Sequence, residues 1–331
     1  MVRFGILGAG HIASKMAKTI NMIVNSGYTD VKLVAVASRS TDKSEAFAKE
    51  HGVAKAYGSY QDMLADQEVD LVYVATPHSH HYRHCMMCLE AGKHVLCEKA
   101  FTVNSAQAQA VFDYARSKNL YVGEAMWTRY MPWLQVAKAV VEDCKLGRPQ
   151  MVTAHLSYPV SGNERIYLPE LAGGALLDLG VYLLNFVVAL FGMPSKISSV
   201  AVLNEHGVDV NGSYTLTYKS GMMAVLCCGT KSSSDRLATV YFENGYMQID
   251  NVNCPQKITL LDNMHNVIDT VDLPFMFTGF EYQVLAAAEA VNEGWTEHPS
   301  MEHADTFEIM SLMDTVRKQI GVEYPDEIER L

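Results

Sequence analysis

Through its first 123 residues the chain alternates short, continuous apolar runs with stretches whose apolar positions recur every three or four residues. Val2–Leu7, Val31–Ser38, Val69–Ala75 and His94–Cys97 are too short for helices and carry few polar positions, as strands buried on both faces do. Ala54–Tyr57 and Leu120–Gly123 are shorter candidates of the same kind. Between them, helices are predicted from the first glycine turn to about Asn25, then over Thr41–His51, Tyr60–Ala65, Ser79–Ala91 and Asn104–Lys118, the last capped by Asn104 or Thr102. Strand and helix in strict alternation predict a doubly wound parallel sheet.

The alternation stops after Gly123. An amphipathic helix is predicted over Trp133–Cys144, a strand over Val152–Tyr158 and an apolar helix over Ala175–Phe191. Between Lys196 and Val271 the period is two, broken by turns such as Lys219-Ser220-Gly221 and Glu243-Asn244-Gly245. Helices over Gly279–Glu293 and Met301–Ile320 close the chain. The expected organisation is α/β over 1–123, then an α+β domain over 124–331 with a large, mostly antiparallel, open-faced sheet.

Composition narrows the partners. A net charge of −11 argues against nucleic acid and anionic membrane surfaces, both of which attract basic patches. Seven cysteines, an odd number without disulfide-like spacing, read as reduced thiols in a cytoplasmic protein. Met1 runs directly into an apolar strand, so no secretion signal is expected. Ala175–Met193 is long enough to span a membrane, but Asp178 and Asn185 within it favour a buried helix.

The first strand ends in Gly8-Ala9-Gly10-His11-Ile12-Ala13, a GxGxxA turn between strand and helix. Gly8 permits the tight turn, Gly10 lets the backbone approach a pyrophosphate, and the helix start offers unpaired N–H groups to the anion. The second strand ends in Ser38-Arg39-Ser40 rather than in an acidic residue. An acid there would hold a ribose 2′-hydroxyl. Arg39 with two serines fits a 2′-phosphate instead, so NADP(H) is expected over NAD(H).

Two further stretches carry candidate chemistry. His94–Cys97 ends in Glu98-Lys99, which places Lys99 at the carboxyl end of a strand, where ligands bind in open α/β sheets. After Gly173-Gly174, the residues Asp178, Tyr182 and Asn185 follow at i, i+4 and i+7 on one face of an apolar helix. Beside a nicotinamide, a lysine cation favours phenolate at Tyr182, which can then give or take a hydroxyl proton, with Asp178 orienting Lys99 or the substrate. A third cluster, His78, His80, His81 and His84 with Cys85 and Cys88, raises the question of zinc. The two cysteines share one helix with no turn between them, and no second ligand pair follows, so buried thiols are the better reading and no metal is expected.

With GILGAGHIA at 5–13, TPHSHH at 76–81, AGKHVLCEKA at 91–100 and GGALLDLGVY at 173–182, the chain resembles the Gfo/Idh/MocA oxidoreductases along nearly its whole length. Tyr182, where inositol dehydrogenases have histidine, resembles the dihydrodiol and xylose dehydrogenase branch. The resemblance implies a Rossmann domain and a substrate domain whose open sheet pairs two subunits as a homodimer. It implies catalytic roles for Lys99 and Tyr182. It also implies cofactor contacts at Gly8, Gly10, His11, Ile12, Arg39, Thr76, Pro77, His78, His81, Glu98 and Lys99, with Trp127 and Arg129 near nucleotide or substrate. Where many members have proline after the Glu-Lys pair this chain has Ala100, and where many have asparagine it has His78.

The expected activity is hydride transfer between NADP(H) and a hydroxyl or carbonyl carbon of a sugar, cyclic polyol or vicinal diol. A non-catalytic NADP-binding regulator, or an eliminating or glycoside-cleaving enzyme with transient redox, are the alternatives. Specificity is expected from the loops Ser157–Leu171 and Phe275–Phe280.

Overall fold

The computed structural model describes residues 1–160, 162–274 and 276–331, so Ser161 and Phe275 of the two expected specificity loops lie outside the described residues. The first part of the chain runs β1 (Val2–Leu7), α1 (His11–Asn25), β2 (Val31–Ala37), α2 (Thr41–His51), β3 (Lys55–Tyr57), α3 (Tyr60–Ala65), β4 (Leu71–Val74), α4 (His81–Glu90), β5 (His94–Glu98), α5 (Ser105–Lys118), β6 (Val122–Ala125) and α6 (Trp127–Tyr130). Six strands form one parallel sheet in the order β3-β2-β1-β4-β5-β6. The apolar runs read from the sequence are its centre: Phe4, Ile6, Leu7 and Leu71–Val74 are fully buried. Ser40, Ser59 and Asn104 cap α2, α3 and α5, each accepting a backbone N–H in the first turn. The helix expected from Ser79 is preceded by a 3₁₀ turn at His78–His80, because Pro77 holds an extended conformation and the regular helix starts only at His81.

The second part runs α7 (Trp133–Asp143), β7 (Pro149–Ser157), α8 (Glu164–Tyr167), a π-helical segment at Leu176–Gly180 that continues as α9 (Val181–Phe191), and strands β8 (Lys196–Leu203), β9 (Asp209–Thr217), β10 (Met223–Gly229), β11 (Ala238–Phe242), β12 (Gly245–Ile249), β13 (Lys257–Asp262) and β14 (Val267–Asp272). Eight strands, β7 to β14, form one sheet ordered β14-β13-β12-β11-β7-β10-β9-β8, antiparallel except for the β7–β10 pair. Strict period two gives it one dry and one open face. Val152, Ala154 and Leu156 of β7 are buried, as are Tyr214 and Leu216 of β9 and Ala224 and Leu226 of β10, and α9 packs against β7 and β10. The apolar stretch Pro169–Phe191 has the length and composition of a membrane span, yet 83% of its most apolar window is buried inside the protein.

Three helices complete the chain, α10 (Glu281–Glu293), α11 (His303–Ile320) and the short α12 (Asp326–Glu329). The compact units are not consecutive stretches. One comprises 1–130, 276–307 and 330–331, the other 131–275 and 308–329. The reason is burial: α10 packs on α1, β1 and α6, and Val122 N–H at the sheet edge donates to Thr296 O at 3.0 Å. Apolar periodicity marks α10 as a helix but carries no information on which core it joins.

Candidate active site

In the first unit the strand order reverses between β1 and β4, which is where an open α/β sheet binds its ligand. The turn after β1 is tight: Gly8 has φ +110°, and a Cβ there would stand 2.9 Å from Ala75 O. At Gly10, by contrast, a Cβ would meet nothing within 4 Å, and no side chain caps α1. Among the described residues the start of α1, at His11 and Ile12, thus has no side-chain cap and open space beside Gly10, the arrangement a pyrophosphate fits. At the end of β2, Arg39 is exposed and has no carboxylate partner among the described residues. Ser38 Oγ accepts Ser40 N–H at 3.4 Å and Ser40 caps α2, so both hydroxyls keep their own protons to donate.

The segments after β4 and β5 are fastened to each other. His81, fully buried, has Nε2 2.8 Å from Thr76 O and Nδ1 2.8 Å from Ala100 O. His81 thus links the segment after β4 to the segment after β5. Thr76 Oγ1 and His84 Nδ1 lie 2.9 Å apart, and burial pulls the His84 pKa down to about 3, leaving that ring neutral. His78 is buried and packs edge-on against His81. Glu98, the last residue of β5, is buried and accepts from the Tyr73 hydroxyl, so it is no solvated charge. Lys99 is half-buried immediately beyond the strand end, and the Lys99–Ala100 peptide bond is cis. Cys85 and Cys88 are buried thiols, and no cluster of three potential ligands for a metal ion exists among the described residues.

Residues 124–130 close this unit from within. Trp127 stacks on Phe280 at 4.5 Å, and the Lys15 ammonium lies 4.8 Å and 4.1 Å from the two ring centroids. Arg129 is buried, with Nη2 2.6 Å from Asp305, while Nε and Nη1 have no hydrogen-bond partner among the described residues. Those two spare donors suit an anionic or carbonyl-bearing ligand. Glu124 accepts from Thr306 Oγ1 at 3.0 Å, and burial raises its pKa to about 7 against the pull of Thr306 and Arg129.

The second unit holds Asp178 and Tyr182. The regular α-helix expected over Ala175–Phe191 is interrupted: Leu176–Gly180 is π-helical, so the i, i+4, i+7 face does not hold across Asp178. Asp178, buried, accepts from Arg165 Nη1 at 2.9 Å, a partner the sequence pattern does not reveal. Tyr182 sits in the first turn of α9. Asn185 turns inward, donating to Val181 O at 3.0 Å, and does not extend the polar stripe.

Comparison with known proteins fits this geometry. A model of the Gfo/Idh/MocA oxidoreductase family, NAD-binding Rossmann fold, matches residues 2–125, and the model of the family's C-terminal domain matches 134–248. The trans-1,2-dihydrobenzene-1,2-diol dehydrogenase of Sus scrofa is 32% identical over 98% of this chain and 99% of its own. The chain belongs to the Gfo/Idh/MocA oxidoreductase family. Another similar member, the dihydrodiol dehydrogenase of Xenopus tropicalis, is 30% identical over 98% of this chain and 99% of its own. A Gfo/Idh/MocA-like solved structure, a 3-ketoreductase from Actinomadura kijaniata in complex with NADP and TDP-benzene, superposes with a TM-score of 0.87 at 26% identity, covering 96% of this chain and 98% of its own. The dinucleotide-binding unit and the eight-stranded sheet unit are thus those of Gfo/Idh/MocA oxidoreductases.

Within that family frame, four residues carry geometry that no sequence motif pointed to: Tyr73, Arg165, Asp209 and Asp305. Asp209 lies between Val208 and Val210 at the start of a strand, which is a weak sign of a buried acid.

Proposed function

We propose that this protein is an NADP(H)-dependent oxidoreductase acting on a hydroxyl or carbonyl carbon of a sugar, cyclic polyol or vicinal diol, with Lys99 and Tyr182 as its acid–base pair. The observation that carries the cofactor choice is Arg39: an exposed guanidinium without a carboxylate partner, flanked by Ser38 and Ser40 where an NAD-selective acid would stand. The NADP found in the Actinomadura ketoreductase supports the same choice. Bound cofactor would supply or accept the hydride. Tyr182 would pass the hydroxyl proton, and the Lys99 ammonium would favour the phenolate. Asp178, steadied by Arg165, would orient the reacting oxygen.

The dihydrodiol dehydrogenases named above support the diol in this reading. A second copy of the chain is proposed to cover the open face of the eight-stranded sheet, and seven free thiols support a reducing, cytoplasmic setting. The test is a panel of pentoses, hexoses and trans-diols with NADP⁺, and of matching carbonyls with NADPH, read by absorbance of the reduced cofactor. Turnover of at least one class with net reduction is expected. Tight NADPH binding with no turnover on the panel would point to a regulator instead, and product formation without net cofactor change to elimination.

A further inference from the structure

The helix that carries Asp178 and Tyr182 starts at Ala175, whose side chain cannot cap it. The first amides of a helix need acceptors from elsewhere. Here one comes from another strand. Asp209, the first residue of β9, is fully buried, and its Oδ2 accepts Leu176 N–H at 2.7 Å. Its other oxygen has no hydrogen-bond partner among the described residues and lies against Gly174.

Both glycines sit where a side chain has no room, Gly174 against Asp209 and Gly173 against the Ile166 carbonyl. A Cβ on Gly174, whose φ is +116°, would lie 2.2 Å from Asp209 Oδ1, and one on Gly173 would lie 2.7 Å from Ile166 O. Gly173 is gripped a second time, its carbonyl accepting from Tyr324 Oη at 2.6 Å. Further along the same strand, the Tyr214 ring closes on the end of the π-helical segment: a Cβ on Gly180 would stand 3.1 Å from its Cε2. Strand β9 therefore holds the segment at both ends of the π-helical turn. Burial of a half-satisfied carboxylate is costly, and it drives the Asp209 pKa up to about 6. An asparagine could accept the same N–H without that cost.

We infer that Asp209 is a positioning residue of the active site: by holding the amino terminus of the π-helical segment against Gly174, it sets where Asp178 and Tyr182 are presented. The inference rests on the proposed roles of those two residues. Asp209→Ala removes the acceptor, whereas Asp209→Asn keeps an acceptor of the same length.

The experiment measures kcat and KM of Asp209→Ala, Asp209→Asn and Tyr182→Phe in the full chain, with kcat expressed per NADPH-binding site from fluorescence titration. Asp209→Ala is expected to lose kcat by about 10- to 100-fold, as misplacement of reacting groups by a fraction of an ångström to an ångström does, with KM for NADPH within about twofold of wild type. Asp209→Asn should recover most of that loss. Should Asp209→Ala not accumulate folded, Asp209→Ser, whose hydroxyl is too short to reach Leu176 N–H, is read in the same way. A wild-type kcat per site in the alanine or serine variant, with only the melting temperature lowered, overturns the inference, as does failure of the asparagine to restore kcat. If Tyr182→Phe itself keeps wild-type kcat, the acid–base proposal and the inference fall together. If Tyr182→Phe is slow and Asp209→Ala is not, only the inference falls.

Discussion

Arg165 Nη1 lies 2.9 Å from Asp178 Oδ1, and this one contact ties the short helix α8, ahead of the glycine pair, to the π-helical turn behind it. The carboxylate is buried and the guanidinium is about a third exposed, so the pair is only partly screened. Arg165→Ala should cost about 1 kcal/mol of stability in urea denaturation and lower kcat/KM roughly tenfold, since Asp178 loses its anchor. Arg165→Lys should regain part of both. An alanine variant with unchanged kcat/KM would detach Arg165 from function.

Lys99→Met and Tyr182→Phe should each lower kcat by ~10²–10⁴-fold, the usual weight of a proton-transfer group, while NADPH still binds. Steady-state kinetics beside a fluorescence titration separate the two effects. Near-wild-type turnover in both variants would end the acid–base assignment.

Arg39→Ala should weaken NADPH binding by about 10- to 100-fold, the value of one or two charge-assisted hydrogen bonds, and leave NADH binding nearly unchanged. Parallel titrations with the two cofactors check this. Equal losses for both would mean that Arg39 does not read the 2′-phosphate.

Burial raises the Glu124 pKa from 4.5 to about 7. The folded state therefore holds this proton more tightly than the unfolded state. The associated stability is fully present below about pH 4.5 and is lost as pH rises through 7, a span of roughly 3 kcal/mol. Glu124→Gln, which can still accept from Thr306, should gain about 2–3 kcal/mol relative to wild type between pH 5 and pH 8. Urea melts at the two values give the difference directly. A ΔΔG that does not change with pH would show that Glu124 titrates normally.

On β8, Val200 and Val202 are two residues apart, on one face of the sheet, and are 71% and 58% exposed. If a second copy covers this face, Val202→Asp should convert a dimer into a monomer in sedimentation velocity. A wild-type chain that sediments as a monomer at micromolar concentration would remove the dimer from the proposal.

Both sheets were legible in the sequence because burial imposes a period: continuous apolar runs where both faces are covered, strict alternation where one is open. The glycine turn was legible because only glycine suits the backbone at Gly8. Local geometry was legible where a motif marks a backbone function, as at Gly8 and Gly174, and where a charge follows a strand, as Lys99 follows β5. It was illegible where the partner is distant in sequence. Arg165 and Asp178 are 13 apart across an irregular loop, Leu176 and Asp209 are 33 apart, and Thr306 and Glu124 are 182 apart. The π-helical turn was hidden for another reason. Its residues, Leu-Leu-Asp-Leu-Gly, read as ordinary helix, and its contacts include β9, where Gly180 leaves room for Tyr214.

The first unit is closed by residues that come last. Val122 N–H at its sheet edge waits for Thr296, His303 must reach Val122 O, and Arg129 must meet Asp305. During synthesis the ribosome emits β1 first, yet it must release residues 276–307 before this unit can be completed. All of 131–275 has emerged by then, so strands β7 to β14 can pair while the first unit is still open, and residues 308–329, which complete the second unit, follow after both. A chain cut after residue 130 should accordingly be soluble only with help, and supplying 276–307 as a separate peptide should rescue it.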